Sequence, residues 1–254
     1  MMEVIREVAA ARTYCAASRR EGATAGFVPT MGALHAGHLS LIGRARREND
    51  RVAVSIFVNP TQYDDPADLE RYPRPFAADL AACEAAGADL VFAPSADELY
   101  RDGYRFRVSE SERSRELEGA HRPGHFDGVL TVVLKLLNII RPQRAYFGEK
   151  DWQQLRLVSD MAAAFFLDTE IVACPTVREA DGLAMSSRNA LLSPAERALA
   201  PTLARVLAGG GEAAVMRSEL AAAGFGVDYV EHRDGSLLAA VRLGNVRLID
   251  NVEA

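Results

Sequence analysis

The sequence has few cysteines, and none of them lies close to another. Cys15, Cys83 and Cys174 are the three that its 254 residues contain, and no Cys-x-x-Cys spacing occurs. A disulfide framework in a small domain needs more cysteines, and a structural zinc site usually needs paired ligands. The sequence therefore disfavours both and indicates a reducing, cytoplasmic setting.

Long apolar runs and an excess of positive charge are also missing. The longest apolar run, residues 129–140, contains Lys135 and is shorter than the roughly 20 residues that cross a bilayer. Residues 1–22 are charged throughout and lack the apolar core of a secretory signal, so we predict an amphipathic helix there. The net charge of −6 and the pI near 5.5 disfavour a broad nucleic-acid surface. We expect neither a membrane nor a nucleic acid as partner.

The composition itself is that of an ordinary globular protein. Hydrophobic residues make up 49% and charged residues 25% of a chain long enough for one large domain and one small one. Apolar runs that resemble buried strands alternate with helical patterns, which predicts an α/β fold: a Rossmann-like, doubly wound parallel sheet. The predicted strands are 25–29, 52–58, 88–93, 145–148 and 171–177, and the predicted helices include 76–86, 129–140 after an Asp127 cap, and 151–166.

The pattern changes after residue 177. Ser193 and Glu196 have the spacing of a capping box, with Pro194 at the first helical position, and predict a helix that runs toward Leu207. Glycines 209–211 interrupt the chain, and a short helix over 214–223 follows. Strand-like runs at 227–232, 237–243 and 246–251 then predict an antiparallel meander. We predict two domains, a Rossmann-like one over residues 1–176 and a small α+β one over residues 177–254.

Residues 27–42, FVPTMGALHAGHLSLI, predict a strand, a turn and a helix. If the helix begins near Ala36, His35 and His38 lie over its first turn. Backbone N–H groups and the helix dipole at that position favour an anion such as phosphate. A metal site, or two ordinary histidines, is the alternative interpretation. The absence of Cys and Glu within the pattern weighs against zinc.

Three further polar clusters follow predicted strands or loops near the expected ligand-binding edge of the sheet. One contains Asn59 and Gln62. Another contains Lys150 and Gln154, which are four residues apart and are expected to share a helix face. The third is the loop over 184–189, in which two hydroxyls and the Arg188 guanidinium suit triphosphate oxygens. Each cluster alone is also compatible with a solvated surface. Neither a Walker-A pattern nor G-x-G-x-x-G occurs, so phosphates must be bound by another device.

Met31-Gly32-x-Leu34-His35-x-Gly37-His38 resembles the His-x-Gly-His signature of the nucleotidylyltransferase superfamily. Together with this motif, the stretches SIFVNPTQY, HRPGHFDGVLTVVLKLLNIIRPQRAYFGEKDWQQL and PTVREADGLAMSSRN resemble the pantothenate synthetase family, ligases that join pantoate to β-alanine. Residues 185–188 stand where superfamily relatives carry a Lys-Met-Ser-Lys-Ser-type loop. The resemblance covers nearly the whole chain. It implies an ATP-dependent reaction through a pantoyl-adenylate, with release of pyrophosphate and then AMP.

The resemblance also implies roles for individual residues. The catalytic set it implies is His35, His38, Lys150 and Arg188. The ATP-binding set is Met31, His35, His38, Gly148, Lys150, Asp151, Met185, Ser186, Ser187 and Arg188. The pantoate-binding set is Pro29, Met31, Gln62 and Gln154, with Arg122 and His125 at the edge of the pocket. It implies Mg2+ as well, with Asp79 as a candidate ligand, and a homodimer.

Two alternative functions share parts of this pattern. A nucleotidylyltransferase that acts on a phosphate ester would keep both histidines but would need basic residues in place of Gln62 and Gln154. A non-catalytic RNA-binding relative would keep the fold, but a net charge of −6 disfavours it. The chain departs from the family pattern at Trp152, where Tyr or Phe is expected, and around 209–211, which looks shortened.

Overall fold

The computed structural model describes residues 1–254, which form two compact units. The first unit contains Met1–Gly148 and Gln153–Cys174, and the second contains Glu149–Trp152 and Pro175–Ala254. The four-residue segment Glu149–Trp152, which includes Lys150, therefore belongs to the second unit although the first unit flanks it in the sequence. The predicted boundary after residue 176 stays a prediction.

The first unit contains a six-stranded parallel sheet. Its strands are β1 (Glu3–Ile5), β2 (Ala25–Thr30), β3 (Arg51–Ile56), β4 (Leu90–Phe92), β5 (Arg144–Gly148) and β6 (Glu170–Cys174). The strand order is β1-β4-β3-β2-β5-β6, so the direction of winding reverses between β2 and β5. Ligands in such sheets bind beyond the carboxyl ends of the strands at this reversal.

Helices cover both faces of this sheet. They are α1 (Val8–Arg20), α2 (Ala36–Glu48), α3 (Pro66–Arg71), α4 (Phe76–Ala85), α5 (Ala96–Leu99), α6 (Leu117–His121), α7 (His125–Ile140) and α8 (Trp152–Ala164). Phe27 of β2 packs in one core cluster with Leu130 of α7, while the adjacent Val28 packs in a second cluster with Ile42 of α2. Successive side chains of a strand point to opposite faces, so this strand is buried on both sides. The predicted doubly wound fold is confirmed.

Three local predictions for the part of the chain that precedes residue 174 are wrong. Residues 1–22 do not form one helix, because Glu3–Ile5 pairs with β4 as an edge strand and α1 begins only at Val8. Helix α7 begins at His125 with Gly124 at its N-cap, and Asp127 instead accepts a hydrogen bond from Ser109 Oγ at 2.9 Å. The segment Glu149–Asp151 is a 3-10 turn that precedes α8. The α-helical spacing predicted for Lys150 and Gln154 therefore does not apply.

The second unit contains three helices and an antiparallel sheet of three strands. Its elements are α9 (Pro194–Leu199), α10 (Pro201–Gly209), α11 (Ala213–Ala222), β7 (Gly226–Arg233), β8 (Ser236–Leu243) and β9 (Val246–Glu253). The predicted meander and the capping box between Ser193 and Glu196 are both present. The helix predicted to run from the capping box to Leu207 is split, because Pro201 lacks a backbone N–H and starts α10. None of the helices in the chain combines the length and apolarity needed to cross a membrane.

Candidate active site

The start of helix α2 orients the two histidines of the His-x-Gly-His motif. His35 is the N-cap, and its Nδ1 accepts a hydrogen bond from the Gly37 N–H at 3.2 Å. The Nδ1 of His38 accepts a longer bond, 3.4 Å, from the His35 N–H. The two ring centroids lie 4.1 Å apart. Because each Nδ1 is an acceptor, a neutral imidazole at either position carries its hydrogen on Nε2. Both histidines are therefore N–H donors at Nε2, and the predicted helix start near Ala36 is confirmed.

The turn between β2 and α2 has a backbone conformation that is unusual for its residues. Gly32 has a φ of +84° and Ala33 a φ of +51°, so a residue with a Cβ adopts the left-handed region. A Cβ at Gly32 would lie 2.9 Å from Asp79 Oδ2. Thr30 Oγ1 accepts a hydrogen bond from the Gly32 N–H at 3.1 Å. The turn that leads to the histidines is thus tightly constrained.

Asp79 of α4 also constrains this turn. Its side chain is buried, with 3% exposure, and its two oxygens accept from the N–H groups of Ala33 at 2.9 Å and Leu34 at 2.8 Å. No group of three or more His, Cys, Asp or Glu side chains is placed to hold a metal ion. A direct Mg2+ ligand needs an oxygen that is open to the metal. The arrangement of Asp79 fits support of the turn and does not fit its predicted role as a metal ligand.

Gln62 lies in a 3-10 turn, Pro60–Gln62, directly beyond β3. Its backbone carbonyl accepts hydrogen bonds from His125 Nδ1 at 2.8 Å and from Arg122 Nη2 at 3.4 Å. A Cβ at Gly128 of α7 would lie 2.7 Å from Gln62 Cα, so the helix approaches the turn too closely for any side chain there. Arg122 and His125, predicted at the pocket edge, fix the backbone of the turn that carries Gln62.

The other predicted site residues of the first unit lie near the same edge of its sheet. Pro29 and Met31 are at the end of β2, and Gly148 is the last residue of β5. Tyr63, next to Gln62, donates a hydrogen bond from its hydroxyl to Met31 Sδ at 3.6 Å. Since β3, β2 and β5 are neighbours, their carboxyl ends bring these residues together at the reversal of strand order. Gln154 is half-buried near the start of α8.

In the second unit, Lys150 and Asp151 lie on the Glu149–Asp151 turn. Asn251 of β9 donates from Nδ2 to the carbonyls of Glu149 and Lys150, at 2.9 Å each. Lys150 Nζ is 3.7 Å from Asp151 Oδ1, and its side chain is 18% exposed. The last strand of the chain therefore fixes the backbone from which the Lys150 side chain projects.

The loop over residues 184–189 is organised by hydrogen bonds to its backbone and by ion pairs next to it. Ser186 Oγ accepts from the Arg188 N–H at 3.2 Å and caps the 3-10 turn Ser187–Leu191. Asn189 Nδ2 donates to the Ala184 carbonyl at 3.1 Å and to Glu179 Oε1 at 2.9 Å. Arg197 bonds Glu179 in turn, at 2.6 Å. Met185 and Ser187 lie within this loop.

Neither Cys15 nor Cys83 is placed as a nucleophile. All three cysteines of the chain are free and buried. Burial raises the pKa of Cys15 to about 11 and that of Cys83 to about 12, and Cys174 Sγ lies 3.5 Å from Arg44 Nη1. A thiol with a pKa this high is protonated at neutral pH, and the protonated form is a weak nucleophile.

Sequence reasoning does not find the residues that support the site from a distance. It suggests Asp79 as a metal ligand and gives no reason to single out Glu179 or Asn251. The Asp79 contact joins residues 46 positions apart and the Asn251 contact residues 101 positions apart. No short motif could have revealed such pairs, although the buried-looking position of Asp79 in the apolar helix over 76–86 is a signal that a charged residue there has fixed partners.

A parallel sheet with a His-x-Gly-His helix start at its reversal of strand order defines an α/β protein of the nucleotidylyltransferase class. The chain matches the Pantoate-beta-alanine ligase family model over residues 3–253. The pantothenate synthetase of Bdellovibrio bacteriovorus is 55% identical over 235 residues, which cover 92% of this chain and 94% of that protein. The chain belongs to the pantoate-beta-alanine ligase family and is a ligase.

Two solved structures are similar along nearly their whole length. One is the pantoate-beta-alanine ligase from Francisella tularensis, complexed with beta-gamma ATP and beta-alanine. Its TM-score is 0.95 at 39% identity, and the match covers 100% of this chain and 98% of that one. The other is the pantothenate synthetase from Thermus thermophilus, with a TM-score of 0.90 at 45% identity and 99% of each chain covered. The predicted family is confirmed, and the two alternative functions are not favoured.

Proposed function

We propose that this chain condenses pantoate with β-alanine at the expense of ATP, by way of a pantoyl-adenylate. The observation that carries the proposal is the pair of Nε2 donors of His35 and His38 at the start of α2, in a chain that matches this ligase family over residues 3–253. The Francisella tularensis relative, whose structure was solved with a form of ATP and β-alanine, supports the same substrates.

The chemistry needs activation because a carboxylate is a poor acyl donor. A pantoate carboxylate oxygen attacks the α-phosphorus of ATP, and the bond to pyrophosphate breaks. The β-alanine amine then attacks the acyl carbon, and AMP leaves with the carboxylate oxygen. In the first step two anions must approach each other. Oriented N–H donors from His35 and His38, added to the dipole at the start of α2, stabilise the negative charge that develops on the phosphate.

We assign the remaining predicted residues to ATP and pantoate as the resemblance implies. Lys150 and Arg188 supply positive charge to the triphosphate, and the other residues of the ATP set are Met31, Gly148, Asp151, Met185, Ser186 and Ser187. Pantoate is assigned to Gln62 and Gln154, with Pro29 and Met31 beside it. Uncharged amides suit the hydroxyls and carboxylate of a small hydroxy acid, whereas a phosphate ester would call for basic residues.

Mg2+ is proposed to enter with the nucleotide, bound to its phosphates. Magnesium commonly keeps several waters and is held through substrate phosphates with few protein ligands. Asp79 is assigned to the turn and not to the metal. We further propose that residues 1–176 form the nucleotide- and pantoate-binding domain and residues 177–254 the small α+β domain. A homodimer and a cytoplasmic location complete the proposal.

The first test is product analysis with purified protein. ATP, Mg2+, pantoate and β-alanine are mixed, and AMP is expected only when pantoate is present. Pantoate labelled with 18O in its carboxylate should transfer label to AMP. Label in inorganic phosphate, with ADP as coproduct, would indicate an acyl-phosphate route and would contradict the adenylate.

A further inference from the structure

The orientation of the Asn59 side-chain amide is set by two backbone groups. The Thr61 N–H donates to Asn59 Oδ1 at 3.3 Å, and Asn59 Nδ2 donates to the Gly128 carbonyl at 3.2 Å. A backbone N–H cannot accept a hydrogen bond and a carbonyl cannot donate one. Of the two ways in which an amide can be placed, only one satisfies both partners. Asn59 is 1% exposed, so water cannot replace these partners if the amide rotates to the opposite orientation.

Tyr100 reinforces the same orientation. Its hydroxyl donates to Asn59 Oδ1 at 2.7 Å. Burial raises the pKa of Tyr100 to about 12, so the hydroxyl keeps its proton at the pH of ordinary assays. Lys135 Nζ lies 4.9 Å from the centroid of the Tyr100 ring and donates to the Leu99 carbonyl at 2.8 Å. The ring and its hydroxyl are thereby fixed beside Asn59.

The orientation of the Asn59 amide also determines the orientation of the Gln62 side-chain amide. Asn59 Nδ2 also donates to Gln62 Oε1, at 3.0 Å. Gln62 Oε1 is therefore an acceptor, and the donor end of the amide, Nε2, is the end that remains for another partner. Gln62 Nε2 donates to no group of the protein. It is also not among the fully buried polar atoms that lack a partner, so this nitrogen is accessible to solvent. The hydrogen bonds from Tyr100 to Asn59 and from Asn59 to Gln62 therefore determine that Gln62 offers its Nε2 to a ligand.

We propose that Tyr100 is a positioning residue that, through Asn59, commits Gln62 to donate its Nε2–H to an oxygen of pantoate. The inference rests on the proposed function and deepens it, because it names the polarity of one contact in the pantoate site. The site then selects an acid that presents an acceptor, a carboxylate or hydroxyl oxygen, at this position. A group that can only donate meets a donor there and is rejected.

Tyr100→Phe tests the positioning role, with Tyr104→Phe as its control. The two rings are in edge contact at 5.3 Å, but the Tyr104 hydroxyl is outside the chain of bonds to Gln62. Removing the Tyr100 hydroxyl leaves Asn59 less firmly oriented, and kcat/KM for pantoate should fall about fivefold to tenfold. The KM for ATP should not change, and Tyr104→Phe should behave as wild type. Equal losses for pantoate and ATP, or equal behaviour of the two variants, would overturn the role.

Gln62→Glu tests the polarity itself. One carboxylate oxygen can still accept from Asn59 Nδ2, but the other now presents an acceptor to pantoate. Activity with pantoate relative to wild type should fall at neutral pH and should recover as the pH approaches the ordinary pKa of glutamate, because a protonated carboxyl donates again. A variant with undiminished use of pantoate, or a loss that does not vary with pH, contradicts the donor assignment. Wild-type protein that forms no AMP with pantoate would instead refute the proposed function.

Discussion

The two units support their predicted site residues by different means. In the first, the turn before the histidines and the turn that carries Gln62 are fixed by buried groups, Asp79 at 3% exposure and Asn59 at 1%. In the second, the support of the 184–189 loop includes ion pairs of Arg197 with Glu179 and Asp181, whose side chains are 30% to 41% exposed. Solvent and salt screen exposed pairs, whereas a buried acceptor that loses its donors has no substitute. We therefore expect changes in the first unit to have the larger effects.

The largest effect is expected from His38→Ala. His38 offers an Nε2 donor, and its Nδ1 makes a long bond to the backbone, so the fold should tolerate its loss. Removal of one oriented donor that stabilises a transition state typically lowers kcat by about a hundredfold to a thousandfold. Steady-state kinetics and the thermal unfolding midpoint measure the two quantities. The control is His232→Ala, at an exposed strand position of the second unit. Turnover near that of wild type would remove His38 from the catalytic set.

Asp79→Asn should show that a buried carboxylate supports the histidine turn. An amide at position 79 has a single oxygen, which can accept from only one of the N–H groups of Ala33 and Leu34. Its NH2 group, which is itself a donor, then faces the second N–H group. A buried donor without a partner costs about 1–3 kcal/mol, which should appear as a lower free energy of unfolding in urea and as reduced turnover. Glu84→Gln, an exposed position on the same helix α4, is the matched control.

The same variant also decides between the two roles of Asp79. If the residue supports the turn, the Mg2+ concentration needed for half-maximal rate should stay as in wild type, although the rate itself falls. A marked increase in the Mg2+ requirement with unchanged stability would instead indicate a metal ligand.

Asn251→Ala should have a smaller effect and should act on ATP. The change removes the two bonds from Nδ2 to the Glu149 and Lys150 carbonyls. These bonds are half-buried, and water can replace part of them, so we expect kcat/KM for ATP to fall about fivefold to tenfold. The KM for pantoate should change less. Asn245→Ala, in the exposed turn between β8 and β9, is the control. If pantoate use suffers more than ATP use, Asn251 does not act through Lys150.

The elements that could be predicted from the sequence are those with a strong local signal. The helix start at His35 can be recognised because a strand and a turn precede it within about ten residues. The capping box that begins at Ser193 can be recognised from four consecutive residues. Strand β1 escapes prediction because its three residues are too few to show alternation, and it forms only by pairing with β4. Pro201 is visible in the sequence, and its missing backbone N–H explains why α9 ends at Leu199 and α10 begins at Pro201.

The supporting contacts of the site could not be predicted for a different reason. Tyr100 and Asn59 are 41 positions apart, and Asp79 meets a turn 46 positions before it. The sequence shows that polar residues follow the strands. It does not show which of two amide atoms faces a ligand, because that depends on the backbone donors and acceptors that the fold brings beside them.

The smallest effect is expected from Arg197→Met, which removes the exposed ion pairs beside the 184–189 loop. Hydrogen bonding to Arg197 lowers the pKa of Asp181, so the pair contributes to stability above the ordinary pKa of an aspartate. That contribution is lost as the pH falls through the lowered pKa of the folded state. Wild type should lose part of its stability over this acidic range or in high salt, and Arg197→Met should lose less in both conditions. Arg205→Met, whose pair with Glu219 is more exposed, is the control. If Arg197→Met destabilised the protein more than Asp79→Asn does, the contrast between a buried and a screened support would be wrong.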